Sequence, residues 1–149
     1  MADYVITTDS NSDVRPEFIK ENGLTIIPQY YAFGDTVYGD ELNMPPHEFY
    51  ETMRNGELPK SMANNPAVIR ERFETLLKEG KDILHIAFSS ALSGSCNNVV
   101  MTANELMEEY PERRIVVFDS LNASLGEGVS VYRAVELMKE GRTMDEIYD

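Results

Sequence analysis

Short runs of apolar residues alternate along the chain with longer segments in which apolar residues recur every three or four positions. Three of the short runs, at 4–8, 82–88 and 114–118, are almost continuously apolar. Such runs are typical of strands covered by helices on both faces, and their alternation with helical patterns predicts a mainly parallel sheet. A fourth run, at 24–31, contains Pro28, which lacks an N–H donor and favours an edge strand or a bend.

The helical periodicity places helices between and after these strands. The predicted helices span residues 46–54, 66–79, 92–110 and 126–139. Gly34 followed by Asp35 predicts a small hairpin or excursion before the first of them. Thr143, with Glu146 three residues later, has the capping-box pattern of one more helix. Together these elements predict a three-layer α/β/α fold with a mainly parallel sheet of four or more strands.

Length, charge and cysteine content narrow the class of protein. The 149 residues suit one domain, and 42% apolar with 26% charged residues is a globular composition. A net charge of −13 without a basic stripe argues against nucleic-acid binding. No signal-peptide pattern and no membrane-length apolar run is present, so we expect a cytoplasmic protein without membrane insertion. The single Cys96 excludes a disulfide or multi-cysteine zinc site, and we expect no metal or other cofactor.

Small hydroxyl-bearing residues follow three of the predicted strands, in the segments 8–13, 88–95 and 118–124. In a parallel sheet these segments gather at the carboxyl ends of the strands, where ligands usually bind. Hydroxyl groups and the free N–H groups of the following helices can donate to a carboxylate or phosphate, which predicts an anionic head group. We then expect Asp9 and Asp119 to face backbone N–H groups, since unpaired carboxylates would repel such a ligand.

Helix capping is the simpler interpretation of any single one of these side chains, because Ser and Asp are preferred N-cap residues. Ser12, Asp13 and Ser124 need no other role. The segment 89–95, however, contains more hydroxyls than one helix start requires, together with Gly94, which permits close approach of the backbone. This segment is therefore the strongest local indication of a binding site.

The order of four short motifs resembles the DegV family. The motifs are Asp9-Ser-Asn-Ser-Asp13, Lys60-Ser61, Ser89-Ser-Ala-Leu-Ser-Gly94, and Asp119-Ser120 through Gly128. The linking segments Ile26-Ile-Pro28 and Tyr38-Gly-Asp40 are also similar, so the resemblance covers nearly the whole chain. It implies that residues 1–149 are the amino-terminal domain of a two-domain protein, truncated before a carboxy-terminal domain.

The resemblance also implies a lipid carrier rather than an enzyme. Such a carrier holds a long-chain fatty acid between its domains and presents the carboxylate to a separate fatty acid kinase, which makes an acyl phosphate. The positions that match the family's carboxylate-binding residues are Ser61, after Pro59-Lys60, and Ser93. A wider pocket around them is predicted to contain Ser89, Ser90, Gly94, Ser95, Ser10 and Ser120.

The chain departs from the family pattern at two places. Where the family usually reads Thr-Ser-Gln-Pro after the lysine, this chain has Ser61-Met-Ala-Asn64, and Ser95-Cys96 stands in place of Thr-Tyr. Ser61 keeps the hydroxyl donor, but Met62 removes one, which leaves open a different head-group loop or a different ligand. Cys96 is either a small packing residue or a reactive thiol, and burial favours packing.

Two other functions stay open at this point. Ser93, His85 and Asp119 can be nominated as the nucleophile, base and acid of a small-molecule serine hydrolase, although no Gly-x-Ser-x-Gly elbow is present. His85 lies in an apolar strand, where a buried core histidine is the simpler interpretation. The other alternative is a domain that supports assembly and binds no ligand.

Overall fold

The computed structural model describes residues 4–149, which form seven strands and six α-helices. The strands are β1 (Tyr4–Asp9), β2 (Thr25–Ile27), β3 (Tyr30–Phe33), β4 (Thr36–Tyr38), β5 (Lys60–Met62), β6 (Asp82–Ala87) and β7 (Ile115–Asp119). The helices are α1 (Pro16–Asn22), α2 (Pro46–Arg54), α3 (Pro66–Lys78), α4 (Ser95–Glu109), α5 (Leu125–Lys139) and α6 (Met144–Tyr148). A 3₁₀ turn, Ser10–Ser12, follows β1.

A parallel sheet with the order β2-β1-β6-β7 is the middle layer of the fold. Successive residues of a strand point to opposite faces, so each strand contributes to two cores. On one face, Ile6 and Leu84 pack in a core with α1, α5 and α6. On the other face, Ile83 and Ile115 pack in a second core with α3 and α4. This arrangement confirms the predicted three-layer α/β/α fold.

Most of the predicted elements agree with the structure. The three apolar runs correspond to β1, β6 and β7, and the four predicted helices correspond to α2, α3, α4 and α5. Helix α4 begins at Ser95 rather than at residue 92, because the serine-rich segment before it is a loop. The capping box is present: the Glu146 N–H donates to Thr143 Oγ1 (3.3 Å), and the Thr143 N–H donates to the Glu146 carboxylate (2.9 Å).

The prediction of one continuous strand over residues 24–31 is wrong, although β2 is an edge strand, as Pro28 predicts. The segment forms two strands, β2 and β3, which belong to different sheets. Pro28 lies between them and cannot donate to a ladder, so the chain leaves the edge of the main sheet at this residue. Strand β3 then pairs antiparallel with β4, which is the hairpin expected around Gly34, and with β5. The three-residue β5 was not predicted, because Lys60-Ser-Met62 lacks an apolar run.

Gly39 holds the small sheet close to the turn after β2. Its φ of +130° is a conformation that L-residues rarely adopt, and a Cβ atom there would lie 2.2 Å from the carbonyl oxygen of Gln29. Only glycine therefore allows the backbone after β4 to contact the backbone of Gln29.

Replacing Gly39 with alanine should lower the free energy of unfolding by about 2–4 kcal/mol, because backbone strain and a steric overlap add together. Gly34→Ala is the matched control, since Gly34 also has a positive φ (+56°) but a Cβ atom there would have no neighbour within 4 Å. That variant should lose only about 1–2 kcal/mol. Urea unfolding measures both losses, and equal losses would contradict the close contact at Gly39.

Candidate functional site

Three loops lie side by side at the carboxyl edge of the main sheet, after β1, β6 and β7. We call them the strand-end loops; they comprise residues 9–13, 88–94 and 119–124. The Phe88 N–H donates to Asp9 Oδ2 (2.7 Å), and the Ser89 N–H donates to the carbonyl of Asn122 (3.0 Å). These bonds join the three loops, which confirms that the hydroxyl-rich segments gather at one edge.

The serines of the second loop form a hydrogen-bonded cluster at the start of α4. Ser95 is fully buried, and its Oγ donates to Gln29 Oε1 (2.8 Å). Half-buried Ser93 donates to Ser95 Oγ (3.0 Å) and accepts the Ser95 N–H (3.1 Å). Buried Ser89 accepts the N–H of Ala91 (3.2 Å), whereas Ser90 is exposed. Ser95 therefore connects the loop to the segment after β2.

Ser61 lies on β5, opposite Tyr31 of β3, and is exposed. The buried residue Asn64, three positions later, donates from its backbone to Ser95 Oγ (3.3 Å) and from its side chain to the Ser95 carbonyl (3.1 Å). Asn98 of α4 donates in turn to Asn64 Oδ1 (3.1 Å). The segment that departs from the family pattern thus attaches the end of β5 to the start of α4.

Ser10 and Ser120 stabilise the loops in which they lie. Ser10 Oγ accepts the backbone N–H of Gln29 (2.9 Å). Ser120 Oγ donates to the carbonyl of Ala87 (2.7 Å) and accepts the N–H of Asn122 (3.2 Å). Each hydroxyl therefore already has a protein partner.

The capping interpretation is wrong for Ser124. It lies at the N-cap of α5 with a positive φ of 54°, but its side chain makes no capping bond and donates instead to the carboxylate of Asp13. Leu121 in the same loop also has a positive φ, of 51°. Such conformations are uncommon outside glycine and often mark functional loops. Gly94, the N-cap of α4, has no atom within 4 Å of a would-be Cβ.

Both aspartates at the strand ends accept hydrogen bonds from N–H donors, as expected for an anion site. Asp9 is fully buried; besides the Phe88 N–H it accepts the Gln29 side-chain amide at Oδ1 (3.0 Å). Asp119 Oδ1 accepts the N–H groups of Ser90 (3.2 Å) and Leu121 (3.1 Å). Partial burial opposes ionisation of Asp119, but the hydrogen bonds from Ser90 and Leu121 lower its pKa below the ordinary value.

Glu127, in the first turn of α5, is a buried acid that the sequence did not reveal. Burial, and then the nearby Asp9 carboxylate, raise the pKa of Glu127 to about 8. Thr8 Oγ1 lies 3.0 Å from Glu127 Oε1 and 2.9 Å from the Ile86 carbonyl oxygen. The carbonyl only accepts and the hydroxyl has one proton, so a protonated Glu127 that donates to Thr8 satisfies both contacts.

The periodicity of an amphipathic helix treats such a glutamate as a surface residue, which is why it was missed. The available signal is the glycine on its carboxyl side: a Cβ at Gly128 would lie 2.6 Å from the Ser12 carbonyl oxygen, so α5 approaches the 3₁₀ turn closely there. A glycine in a helix is a signal of close backbone packing, and the residue beside it is then a candidate for burial.

The buried Glu127 should make stability fall as pH rises. Because its pKa is about 8 in the folded protein and near 4.5 in an unfolded chain, the folded state binds more protons between these values. The contribution of protonated Glu127 to the free energy of unfolding is fully present below pH 4.5 and is lost as pH rises through 8. Its size is on the order of a few kcal/mol. Thermal unfolding from pH 5 to 8.5 measures it, and Glu127→Gln should flatten the profile. Glu136→Gln, at an exposed position of α5, is the control. Equal slopes in wild type and Glu127→Gln would contradict this assignment.

The nominated hydrolase triad is not assembled. His85 is fully buried; its Nδ1 lies 2.8 Å from Thr7 Oγ1, and its Nε2 lies 3.7 Å from Asp9 Oδ2. Within residues 4–149, no hydrogen bond joins His85 to Ser93 or to Asp119, so the histidine faces β1 and not the candidate nucleophile. The interpretation of His85 as a core residue agrees with this burial.

Cys96 is a packing residue in the structure. Burial, with smaller effects of Asp119 and Asp9, raises the pKa of its thiol to about 11. A thiol that stays protonated at neutral pH is a poor nucleophile. In the part of the chain that the structure describes, no group of three or more His, Cys, Asp or Glu side chains is placed to hold a metal ion. Nor is any helix between residues 4 and 149 long and apolar enough to cross a bilayer.

Exposed aliphatic side chains border the strand-end loops. We call them the apolar rim; they are Leu92 (66% exposed), Leu121 (69%), Leu125 (61%) and Val129 (66%). Leu92 lies between the serines of the second loop, and the others lie in the third loop and the first turns of α5. Leu92 and Leu121 lie within the strand-end loops themselves, and exposed apolar side chains beside polar ones are typical of ligand or protein contact surfaces.

The family model described as "Uncharacterised protein, DegV family" matches residues 3–149. The chain belongs to the DegV family. A DegV domain-containing protein of Clostridium perfringens is 36% identical over 150 residues, which cover 99% of this chain and 52% of that protein. One from Caldanaerobacter subterraneus is 31% identical over 147 residues, which cover 99% and 51%. The chain thus spans about half the length of these curated DegV relatives.

Solved structures share the fold. A DegV family protein from Thermus thermophilus, described as binding fatty acid, has a TM-score of 0.85 and 28% identity, and the match covers 97% of this chain and 50% of that one. A Thermotoga maritima protein with a described fatty acid binding function has a TM-score of 0.83 and 26% identity, covering 99% and 53%. A stearic acid-binding protein from Eubacterium ventriosum, at 0.90 and 23% identity over 97% and 50%, shows the shared DegV fold alone.

Proposed function

We propose that this chain binds the carboxylate of a long-chain fatty acid at the serine cluster of the strand-end loops. The observation that carries the proposal is that exposed aliphatic residues, Leu92 and Leu121, lie in the same loops as these serines, because a fatty acid has a polar head and an aliphatic tail. The DegV structures from Thermus thermophilus and Thermotoga maritima, which are described as binding fatty acids, support the same ligand class.

Ser61 and Ser93 are the proposed head-group residues. Ser61 is exposed and Ser93 is half-buried, whereas Ser89 and Ser95 are buried. The bonds between Asn64 and Ser95 draw the end of β5 toward the start of α4, which favours convergence of the two hydroxyls on one ligand. The strand-end loops contain no Lys or Arg, so the donors that these loops offer to the head group are hydroxyl and N–H groups.

The two-domain arrangement is part of the proposal. We assign residues 1–149 to an amino-terminal domain whose apolar rim is covered by a carboxy-terminal domain, with the acyl chain between them. Exposure of the apolar rim to water is unfavourable. Burying each methylene of the ligand contributes about 0.8 kcal/mol to the free energy of binding. A separate fatty acid kinase in the cytoplasm would then act on the presented carboxylate to form an acyl phosphate, so this chain acts as a carrier and not as an enzyme.

The proposed function predicts that the full-length protein retains lipid through purification. Mass spectrometry of the organic extract should show free long-chain fatty acids in near-stoichiometric amounts. Diacyl lipids and fatty alcohols should be depleted relative to the host membrane. An extract without fatty acid, combined with no binding of added stearate by the protein, would contradict the function.

Removing either head-group hydroxyl should weaken fatty acid binding. Ser61→Ala and Ser93→Ala should each raise the Kd for stearate roughly ten- to a hundredfold, because each loses a hydrogen bond to a charged carboxylate. Thr75→Ala, which removes an exposed hydroxyl from α3, is the control and should bind normally. Competition with a fluorescent fatty acid measures the constants, and unchanged affinity in both serine variants would remove these two residues from the site.

A further inference from the structure

A chain of hydrogen bonds runs from the buried carboxylate of Asp9 to the half-exposed hydroxyl of Ser93. We call it the serine relay; it consists of Asp9, Gln29, Ser95 and Ser93. Its three links are Gln29 Nε2 to Asp9 Oδ1 (3.0 Å), Ser95 Oγ to Gln29 Oε1 (2.8 Å) and Ser93 Oγ to Ser95 Oγ (3.0 Å). Asp9 and Ser95 are fully buried, and Gln29, which lies between them, is partly exposed.

The direction of each link follows from what the groups can donate. Both oxygens of Asp9 contact N–H donors, from Phe88 and Gln29, as a carboxylate requires. A carboxylate only accepts, so the Gln29 amide must turn its NH₂ toward Asp9 and its oxygen toward Ser95. That oxygen also only accepts, so the single proton of the Ser95 hydroxyl points at Gln29.

Ser95 can therefore only accept from Ser93. The Ser93 proton consequently points inward, to Ser95 Oγ, while the Ser93 oxygen accepts the Ser95 N–H (3.1 Å) and has one lone pair left for a ligand. A carboxylate, which cannot donate, has to take the Ser93 proton away from Ser95. A fatty alcohol can instead donate to Ser93 and leave the relay intact.

We propose that Gln29 is a specificity-determining residue. It acts through Ser95 to hold the Ser93 proton inward, which weakens the binding of a carboxylate relative to the binding of a neutral alcohol. This inference rests on the proposed fatty acid site at Ser93. Gln29 is a positioning residue here: it touches Ser95 and not the ligand. Its effect is to make the carboxylate easier to release, as a carrier requires.

The backbone of Gln29 is fixed well enough for this role. Its N–H donates to Ser10 Oγ (2.9 Å), and Gly39 allows close contact at its carbonyl. The side chain therefore starts from a defined position between Asp9 and Ser95. The serine relay depends on two side chains of this sequence, the amide at residue 29 and the hydroxyl at residue 95.

The test compares two ligands that differ only in the head group, octadecanoate and octadecanol, on lipid-free full-length protein. In Gln29→Met the Ser95 proton is released to donate to Ser93, and in Ser95→Ala the Ser93 proton has no internal acceptor. Each variant should raise the ratio of octadecanoate to octadecanol affinity about fivefold, the value of one neutral hydrogen bond. Asn97→Met is the control: it removes an exposed amide from α4, the helix that begins at Ser95, and should leave the ratio unchanged.

A purely structural role for Gln29 would weaken both ligands together and would not move this ratio. An unchanged or lower ratio in either folded variant overturns the inference, while octadecanoate binding by the wild type keeps the proposed function standing. A wild type that binds neither ligand overturns both. Thermal unfolding identifies a variant that fails to fold, and the other variant then decides the question alone.

Discussion

The carboxylate of Asp9 is buried at the end of β1 and joins separate parts of the chain. One oxygen accepts the backbone N–H of Phe88, which fixes the loop after β6, and the other accepts the amide of Gln29, which fixes the turn between the two sheets. Burial of an ion is unfavourable unless its hydrogen bonds are complete, so these partners are obligatory. The positions of Ser93 and Ser95 follow from the same contacts.

The Asp9 carboxylate adds to the effect of burial on the neighbouring acid Glu127. Burial, and then the Asp9 carboxylate, raise the pKa of Glu127 to about 8, so Glu127 stays mainly protonated near neutral pH. Asp119 is ionised but directed at the N–H groups of its own loop and the next. A protein with a net charge of −13 can thereby present hydroxyl groups at the strand ends without directing a bare carboxylate at an anionic ligand.

The main sheet was predictable because its strands are apolar on both faces and its helices are amphipathic, patterns set by neighbours along the chain. The capping box at Thr143 is equally local. Strand β5 was not predictable, since its residues pair through the backbone and carry no apolar pattern. Gln29 and Glu127 were missed for a related reason: the partners that give them a role, Ser95 and Thr8, are far away in sequence. The family pattern predicts Ser93 as a head-group residue but gives no role to the residues behind it.

The order of strands in the main sheet affects how the chain folds. Phe88 is 79 positions from Asp9, so β1 cannot find its partner in β6 until more than half of the domain is available. Closing so long a loop is slow compared with forming the local contacts of α3 and α4. During synthesis, β1 and Asp9 therefore stay exposed to water until β6 is available. The elements around the serine cluster then acquire their final geometry together, late in folding.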